Sequence, residues 1–146
     1  SSTKIRNSIN QGDLETTKKY LGRFFSLTGK VVKGDGLGKQ IDYPTANILI
    51  EEDYKIIPKD GVYYIRTTID NKLYNGMMNI GYRPTIGNKA KSIEVNLFNF
   101  DRDIYDKVIS VDVVVKIRDE KKFSSINALK AQLAKDEEHC LKLINK

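Results

Sequence analysis

Residues 61–80 read GVYYIRTTIDNKLYNGMMNI, with two strand-like runs on either side of a turn signal. Residues 61–69 are rich in β-branched and aromatic side chains, which favour extended backbone. Asp70 and Asn71 follow, and both residue types are common in tight turns. Residues 73–80 then resume the strand-like pattern. The stretch therefore predicts two consecutive strands.

A strand-like pattern covers most of the chain, because the spacing of apolar residues changes from helical to strand-like at Ser26. The candidate strands are 27–33, 46–50, 61–69, 73–80, 92–100 and 108–118. No long helix separates them, and closure into a barrel removes exposed strand edges. We predict a mainly β fold, a six-stranded antiparallel barrel of the Greek-key type.

Helices are predicted at both ends of the chain. Residues 1–25 are polar and helix-like, with Gly12 as a break and Asp13 as an N-cap, which predicts two short helices. Residues 124–144 place apolar side chains at three-, four- and seven-residue steps, and these are Ile126, Leu129, Leu133, Cys140 and Ile144. This pattern predicts an amphipathic helix packed on the barrel, where it covers one mouth.

The composition indicates a single globular domain, with 40% hydrophobic and 30% charged residues among 146. The net charge of +6 comes from basic residues scattered among 19 acidic ones, which argues against a nucleic-acid partner. No run is long enough to span a membrane, and no signal peptide heads the chain. The single cysteine, Cys140, suits a cytoplasmic protein, and the single histidine, His139, lacks partners for zinc or triad chemistry.

Residues 34–47, GDGLGKQIDYPTAN, contain the clearest ligand-binding signal. Glycines at 34, 36 and 38 let backbone N–H groups converge on an anion, and Lys39 adds a positive charge. The stretch matches neither a Walker loop nor the dinucleotide fingerprint. Pro44 stiffens the backbone that presents Thr45 and Asn47. Their neutral oxygens suit Mg²⁺, although both side chains are equally able to cap their own backbone.

Residues 92–100, SIEVNLFNF, contain a carboxylate within an apolar strand. Ile93, Val95 and Leu97 alternate with Glu94 and Asn96, so the two sets occupy opposite faces. Glu94 is therefore either a solvated residue of the outer face or a functional group directed into a pocket.

Together these segments resemble the motifs of riboflavin kinases, which phosphorylate riboflavin to FMN. The resemblance covers roughly residues 26–138 and agrees with the barrel prediction. It implies Mg²⁺-dependent transfer of the γ-phosphoryl group of ATP to the ribityl 5′-hydroxyl, with Glu94 as the catalytic base. It also implies that Thr45 and Asn47 hold the metal. The implied nucleotide-binding residues are Gly34, Gly36, Gly38, Lys39, Pro44, Thr45 and Asn47.

Residues 117–123, IRDEKKF, resemble a loop of the same family that closes over the flavin. The resemblance implies that Arg118, Phe123 and Leu129 bind the flavin, whereas the plainer interpretation is a salt-bridged surface loop. Motifs at residues 61–63 and 79–85 also match, and we interpret them as structural. Departures from the family pattern are Lys39 for arginine, Asp42 and Asp106 for glycine, and Asn96 for histidine.

Residues 1–6, SSTKIR, resemble the end of the FMN adenylyltransferase module in bifunctional bacterial FAD synthetases. We therefore predict that residues 1–25 are a helical remnant of such a module and that residues 26–146 form the kinase barrel. The natural partner is then an N-terminal adenylyltransferase module. Two alternative hypotheses remain, a non-catalytic barrel that binds flavin or nucleotide and, less favoured by the scattered charge, an RNA-binding barrel.

Overall fold

The structure is a computed structural model, and it describes residues 2–34, 45–50, 56–85 and 88–145, with the backbone alone at 83–85 and 88–90. The helices in these ranges are α1 (Ser2–Asn10), α2 (Leu14–Leu21) and α3 (Ile126–Ile144). The strands are β1 (Phe25–Val32), β2 (Ala46–Leu49), β3 (Gly61–Ile69), β4 (Lys72–Thr85), β5 (Asn88–Leu97) and β6 (Val108–Arg118).

The strands form a closed barrel in the order β1-β2-β5-β4-β3-β6, and every pair is antiparallel. Strands β3, β4 and β5 follow one another directly, and β6 returns to lie beside β3, which is the Greek-key arrangement. The predicted barrel is thereby confirmed. Its β3–β4 turn has φ angles of 50° at Asp70 and 66° at Asn71, as a two-residue hairpin turn requires.

Alternation along β3 divides the apolar residues between two clusters. Tyr63 and Ile65 point into the barrel, where they join the main core with residues such as Val31, Met78, Ile80, Val95 and Val111. Val62 and Tyr64 lie on the outer face with Met77 and Cys140. The barrel wall is therefore apolar on both sides at this point, and its outer side needs a cover.

Helix α3 supplies that cover, since Leu133, Cys140 and Ile144 pack into the outer cluster. The helix begins after Ser125, whose side chain accepts a hydrogen bond from the Ala128 N–H at 3.1 Å. The predicted amphipathic helix is confirmed, but the prediction that it covers a barrel mouth is wrong. Ile126, predicted on the apolar face, is 52% exposed because it precedes the part of the helix that meets the sheet.

The two N-terminal helices were also predicted, and they pack together through a buried 2.7 Å hydrogen bond between Ser8 and Thr17. Asp13 caps α2 by accepting a hydrogen bond from the Thr16 N–H. Leu14 belongs to the inner core of the barrel, so this helical pair lies against the barrel. The division of the chain at residue 25 stays a prediction.

The hairpin of β4 and β5 is longer than the sequence predicted. The fourth strand was predicted to end at residue 80, yet residues 81–85 continue β4 and pair with residues 88–92. The predicted end of β5 at residue 100 is also wrong, because Asn99 turns the chain with a φ of 57°. Within the described ranges, no helix is long and apolar enough to cross a membrane.

Candidate active site

Asn47 of β2 and Glu94 of β5 are direct partners across two neighbouring strands. Directly opposed residues of an antiparallel pair share one face, with Cβ atoms about 4.5–5.5 Å apart. The adjacent residues Ile48 and Val95 point into the inner core, so Asn47 and Glu94 lie on the outer face of the barrel wall. Two residues selected from distant sequence motifs are thus brought together.

Gly34 lies against the same asparagine. A Cβ added at Gly34 would collide with the side-chain amide nitrogen of Asn47, so the close approach requires glycine. The start of the glycine-rich stretch therefore contacts one predicted metal ligand and adjoins the predicted base. The other residues predicted there, Gly36, Gly38, Lys39 and Pro44, lie outside the described residues, as does Asp42.

Thr45 lines a cavity of about 430 Å³ at one end of the barrel. Most of its lining is apolar, from Val31, Ala46, Val95, Leu97, Phe100, Ile104 and Tyr105, and Asp101, Arg102 and Asp103 are polar residues in the lining. A mostly apolar cavity with a few polar groups is typical of small-molecule sites. Ala46, which lines the cavity, directly precedes Asn47 in the chain.

Asn79 of β4 faces Glu94 from the other side, because Glu94 pairs with Asn79 as well as with Asn47. The side-chain Oδ1 of Asn79 is buried and has no hydrogen-bond partner among the described residues. The sequence interpretation missed this residue by treating residues 79–85 as structural. Only the strand register, which the sequence does not give, places it beside Glu94.

The line of paired residues continues across the wall to Arg118. Asn79 pairs with Val62 of β3, and Val62 pairs with Arg118 of β6. Neighbouring strands are about 4.8 Å apart, so Arg118 lies roughly 14 Å along the wall from Glu94. We call the five residues Asn47, Glu94, Asn79, Val62 and Arg118 the outer row.

The Arg118 guanidinium is fixed by Asp136 of α3. Its Nε donates to Asp136 Oδ1 at 2.9 Å, and its terminal NH2 group donates to Oδ2 at 2.8 Å. Gln132 also donates to Asp136 Oδ1, and the two charged side chains are only 18% and 4% exposed. Such a paired arrangement orients the guanidinium and joins β6 to α3.

Phe123 lies near the same guanidinium, with its ring centroid 5.7 Å from the Arg118 Cζ. The structure therefore brings together two of the three residues predicted to bind flavin. Leu129, the third, is half-buried near the start of α3. Their roles toward a ligand stay predictions.

Glu120 places its carboxylate over the outer face of β4. A Cβ added at Gly81 would lie 2.5 Å from Glu120 Oε2, so the absence of a side chain at residue 81 makes room for this carboxylate. Partial burial raises the pKa of Glu120, while the backbone N–H of Lys121 and the charge of Arg118 oppose the rise, and the negative charges of Asp60 and Glu94 add to it. Glu120 and Glu94 therefore face a common region next to Asn79.

Comparison with known proteins identifies the family of this fold and site. Residues 21–144 match the family model for flavokinase, described as riboflavin kinase. The chain belongs to the riboflavin kinase family. The chain is 38% identical over 145 residues to the bifunctional riboflavin kinase/FMN adenylyltransferase of Bacillus subtilis, with 97% of this chain and 46% of the relative covered. The Listeria monocytogenes protein of the same description is 41% identical over 139 residues, covering 94% of this chain and 44% of its own length.

Two solved structures have a similar fold. A crystal structure of a Streptococcus pneumoniae protein described as a macrolide-efflux protein superposes with a TM-score of 0.88 at 38% identity, covering 94% of this chain and 45% of that one. Riboflavin kinase from Trypanosoma brucei superposes with a TM-score of 0.57 at 25% identity, covering 83% and 80%. The chain spans about half the length of the bifunctional relatives it matches.

The structure also explains one departure from the family pattern. Asp106 stands where the family motif has glycine, and its φ is 68°. Glycine adopts this left-handed conformation freely, and aspartate is among the few other residues that tolerate it. The substitution therefore keeps the turn that lets the Asp106 N–H donate to the Val31 carbonyl at 2.8 Å.

Proposed function

We propose that this domain is a riboflavin kinase that transfers the γ-phosphoryl group of ATP to the ribityl 5′-hydroxyl of riboflavin. The new bond joins the hydroxyl oxygen to the γ-phosphorus, and the bond from that phosphorus to the β–γ bridging oxygen breaks, which gives FMN and ADP. The outer row is the observation that carries the proposal. It aligns a candidate metal ligand, a carboxylate and an arginine on the outer side of the barrel wall, with Val62, between Asn79 and Arg118, buried beneath α3.

Asn47 and Thr45 would hold Mg²⁺ at the phosphate end of this row. The side-chain amide nitrogen of Asn47 is the atom nearest to Gly34, and its Oδ1 would be the metal ligand. A carbonyl oxygen and a hydroxyl oxygen are hard, neutral ligands, which suit a Mg²⁺ ion that also binds substrate phosphates. When bound, the ion neutralises negative charge on those phosphates.

Glu94 would accept a hydrogen bond from the reacting hydroxyl and take up its proton. Phosphoryl transfer passes through a loose transition state, so orientation of the hydroxyl contributes at least as much as the basicity of the carboxylate. The position of Glu94 directly opposite Asn47 supports this role, because the hydroxyl must meet the γ-phosphoryl group between them.

The two substrates would approach this point from different sides. Gly34, Gly36, Gly38, Lys39 and Pro44 would surround the phosphates, and the cavity beside Thr45 has space and apolar lining for the rest of the nucleotide. The flavin ring would lie at the other end of the outer row, near Arg118, Phe123 and Leu129. Riboflavin is an extended molecule, which suits the separation of about 14 Å between Glu94 and Arg118, and because Val62 is buried beneath α3 the ring would meet Arg118 from the side of Phe123.

An assay for FMN tests the proposal. The protein is incubated with riboflavin, ATP and Mg²⁺, and the flavins are separated by chromatography, with parallel samples that lack ATP or contain EDTA. We expect FMN only in the complete mixture. Flavin binding without FMN formation would instead support the non-catalytic barrel and contradict the kinase.

The same assay addresses the rest of the natural protein. Since the bifunctional relatives are about twice as long as this chain, we propose that the full-length protein adds an FMN adenylyltransferase module. This chain alone should therefore stop at FMN. Formation of FAD by the chain would contradict that division of labour.

A further inference from the structure

Asn79 occupies the middle of the outer row without a role in the chemistry proposed above. It lies between Glu94 on β5 and Val62 on β3, and Val62 separates it from Arg118. Its amide Oδ1 is buried and unpaired among the described residues. A buried acceptor without a donor is unfavourable, so such an atom requires an explanation.

The neighbouring asparagine on the same strand behaves differently. Asn75 lies on the same face of β4, four residues before Asn79, and its Oδ1 accepts a 2.6 Å hydrogen bond from the Tyr64 hydroxyl. Strand β4 therefore satisfies one outward asparagine within the fold and leaves the other unsatisfied. The unsatisfied asparagine is the one that pairs with the candidate base.

The proposed function gives this acceptor a donor. If the flavin ring lies near Arg118 and Phe123 and the reacting hydroxyl lies at Glu94, the chain that joins them must cross Asn79. In riboflavin that chain is a ribityl group with a hydroxyl on each internal carbon. We propose that Asn79 binds this polyol chain, with its Oδ1 accepting a hydrogen bond from one of the internal hydroxyls.

The strand face next to Asn79 has room for a group from outside the barrel. Gly81, on the same face two residues further along β4, carries no side chain, and the Glu120 carboxylate lies over it. Glu120 belongs to the segment between β6 and α3, which contains neither helix nor strand.

The inference rests on the proposed function for the identity of the ligand, but its test needs no turnover. Binding of riboflavin and of lumiflavin, which has the same ring and a methyl group in place of the ribityl chain, is measured by flavin fluorescence without nucleotide. The variants are Asn79→Leu, which removes the acceptor at similar size, and Asn75→Leu as the matched control on the same strand face. Asn79→Asp keeps an acceptor oxygen.

We expect Asn79→Leu to weaken riboflavin binding about 3- to 10-fold, the effect of one hydrogen bond, and to leave lumiflavin binding within about 2-fold. Asn79→Asp and Asn75→Leu should retain the preference of the wild-type protein for riboflavin. If Asn79→Leu does not fold, Asn79→Ala provides the same comparison.

Three results would overturn the inference. These are an unchanged riboflavin preference in the Asn79→Leu variant, an equal loss for both flavins, and a wild-type protein that binds the two flavins equally. The FMN assay separates this failure from that of the proposed function. If the wild-type protein makes FMN and the Asn79→Leu variant keeps the preference for riboflavin, the protein is a kinase that lacks this contact.

Discussion

Replacing Asp136 with asparagine should destabilise the packing of helix α3 on the barrel wall more than replacing any exposed residue of that helix. The variant keeps the shape of the side chain but removes its charge, so the Arg118 guanidinium loses its buried counterion. Loss of one partner of a buried ion pair costs about 3–5 kcal/mol. Here the expected loss is about 2–3 kcal/mol, because asparagine still accepts one hydrogen bond and the Arg118 side chain is 18% exposed.

For a domain of this size, that loss lowers the melting temperature by about 4–12 °C. The matched control is Glu138→Gln on the same helix, because Glu138 and Lys142 form an ion pair whose side chains are 69% and 74% exposed. An exposed pair of this kind contributes at most about 0.5 kcal/mol. Urea denaturation followed by circular dichroism gives both free energies of unfolding.

The refuting result is a loss of stability in Asp136→Asn no larger than that in Glu138→Gln. In that case the Arg118–Asp136 pair would not hold α3 in place. Riboflavin binding by the same variant adds a second measurement. Since Asp136 orients the guanidinium, we expect weaker flavin binding at a temperature where the variant is fully folded.

Three further predictions follow from individual contacts. Gly34→Ala should lower kcat by up to about 100-fold, because the added methyl group displaces Asn47. Gly22 has a φ of 80° and an added methyl group there has no neighbour within 4 Å, so Gly22→Ala should lower stability without lowering kcat. Equal kcat values for the two variants would contradict this prediction. The raised pKa of Glu120 means that the folded state binds more protons than the unfolded state above about pH 4.5. The free energy of unfolding of the wild-type protein should therefore fall relative to that of Glu120→Gln as the pH rises from 4 to 7. A difference between the two proteins that is the same at pH 4 and pH 7 would contradict this prediction. Burial raises the pKa of the Cys140 thiol to about 12, so a thiol reagent at pH 8 should label it only on unfolding, and rapid labelling of native protein would show otherwise.

The barrel was predictable because strand periodicity and turn residues are local signals. The bounds of β3 and β6 matched the prediction, and Asp70 and Asn71 adopt the backbone of a hairpin turn. The extension of β4 was not predictable from residue types, since Gly81 and Pro84 usually interrupt strands. There the pairing with β5 outweighs the local preference.

The site was only partly predictable, because the residue types do not reveal how one strand aligns with its neighbour. Glu94 and Asn47 were selected from separate motifs, but Asn79 became visible only when β4 was aligned against β5. A signal for Asp136 did exist. It lies between Leu133 and Cys140 on the apolar face of the predicted helix, where an acidic residue indicates a buried partner.

Asn47, through the metal, and Glu94, through the reacting hydroxyl, are proposed to serve one phosphoryl transfer from neighbouring strands. A double-mutant cycle on kcat with Asn47→Ala, Glu94→Gln and the double variant tests this central claim most directly. We predict that each single change lowers kcat by roughly 100-fold or more, and that the double variant is hardly worse than the weaker single variant, because the residues serve one transition state. Losses that simply multiply, or near-normal turnover in either single variant, would contradict the claim.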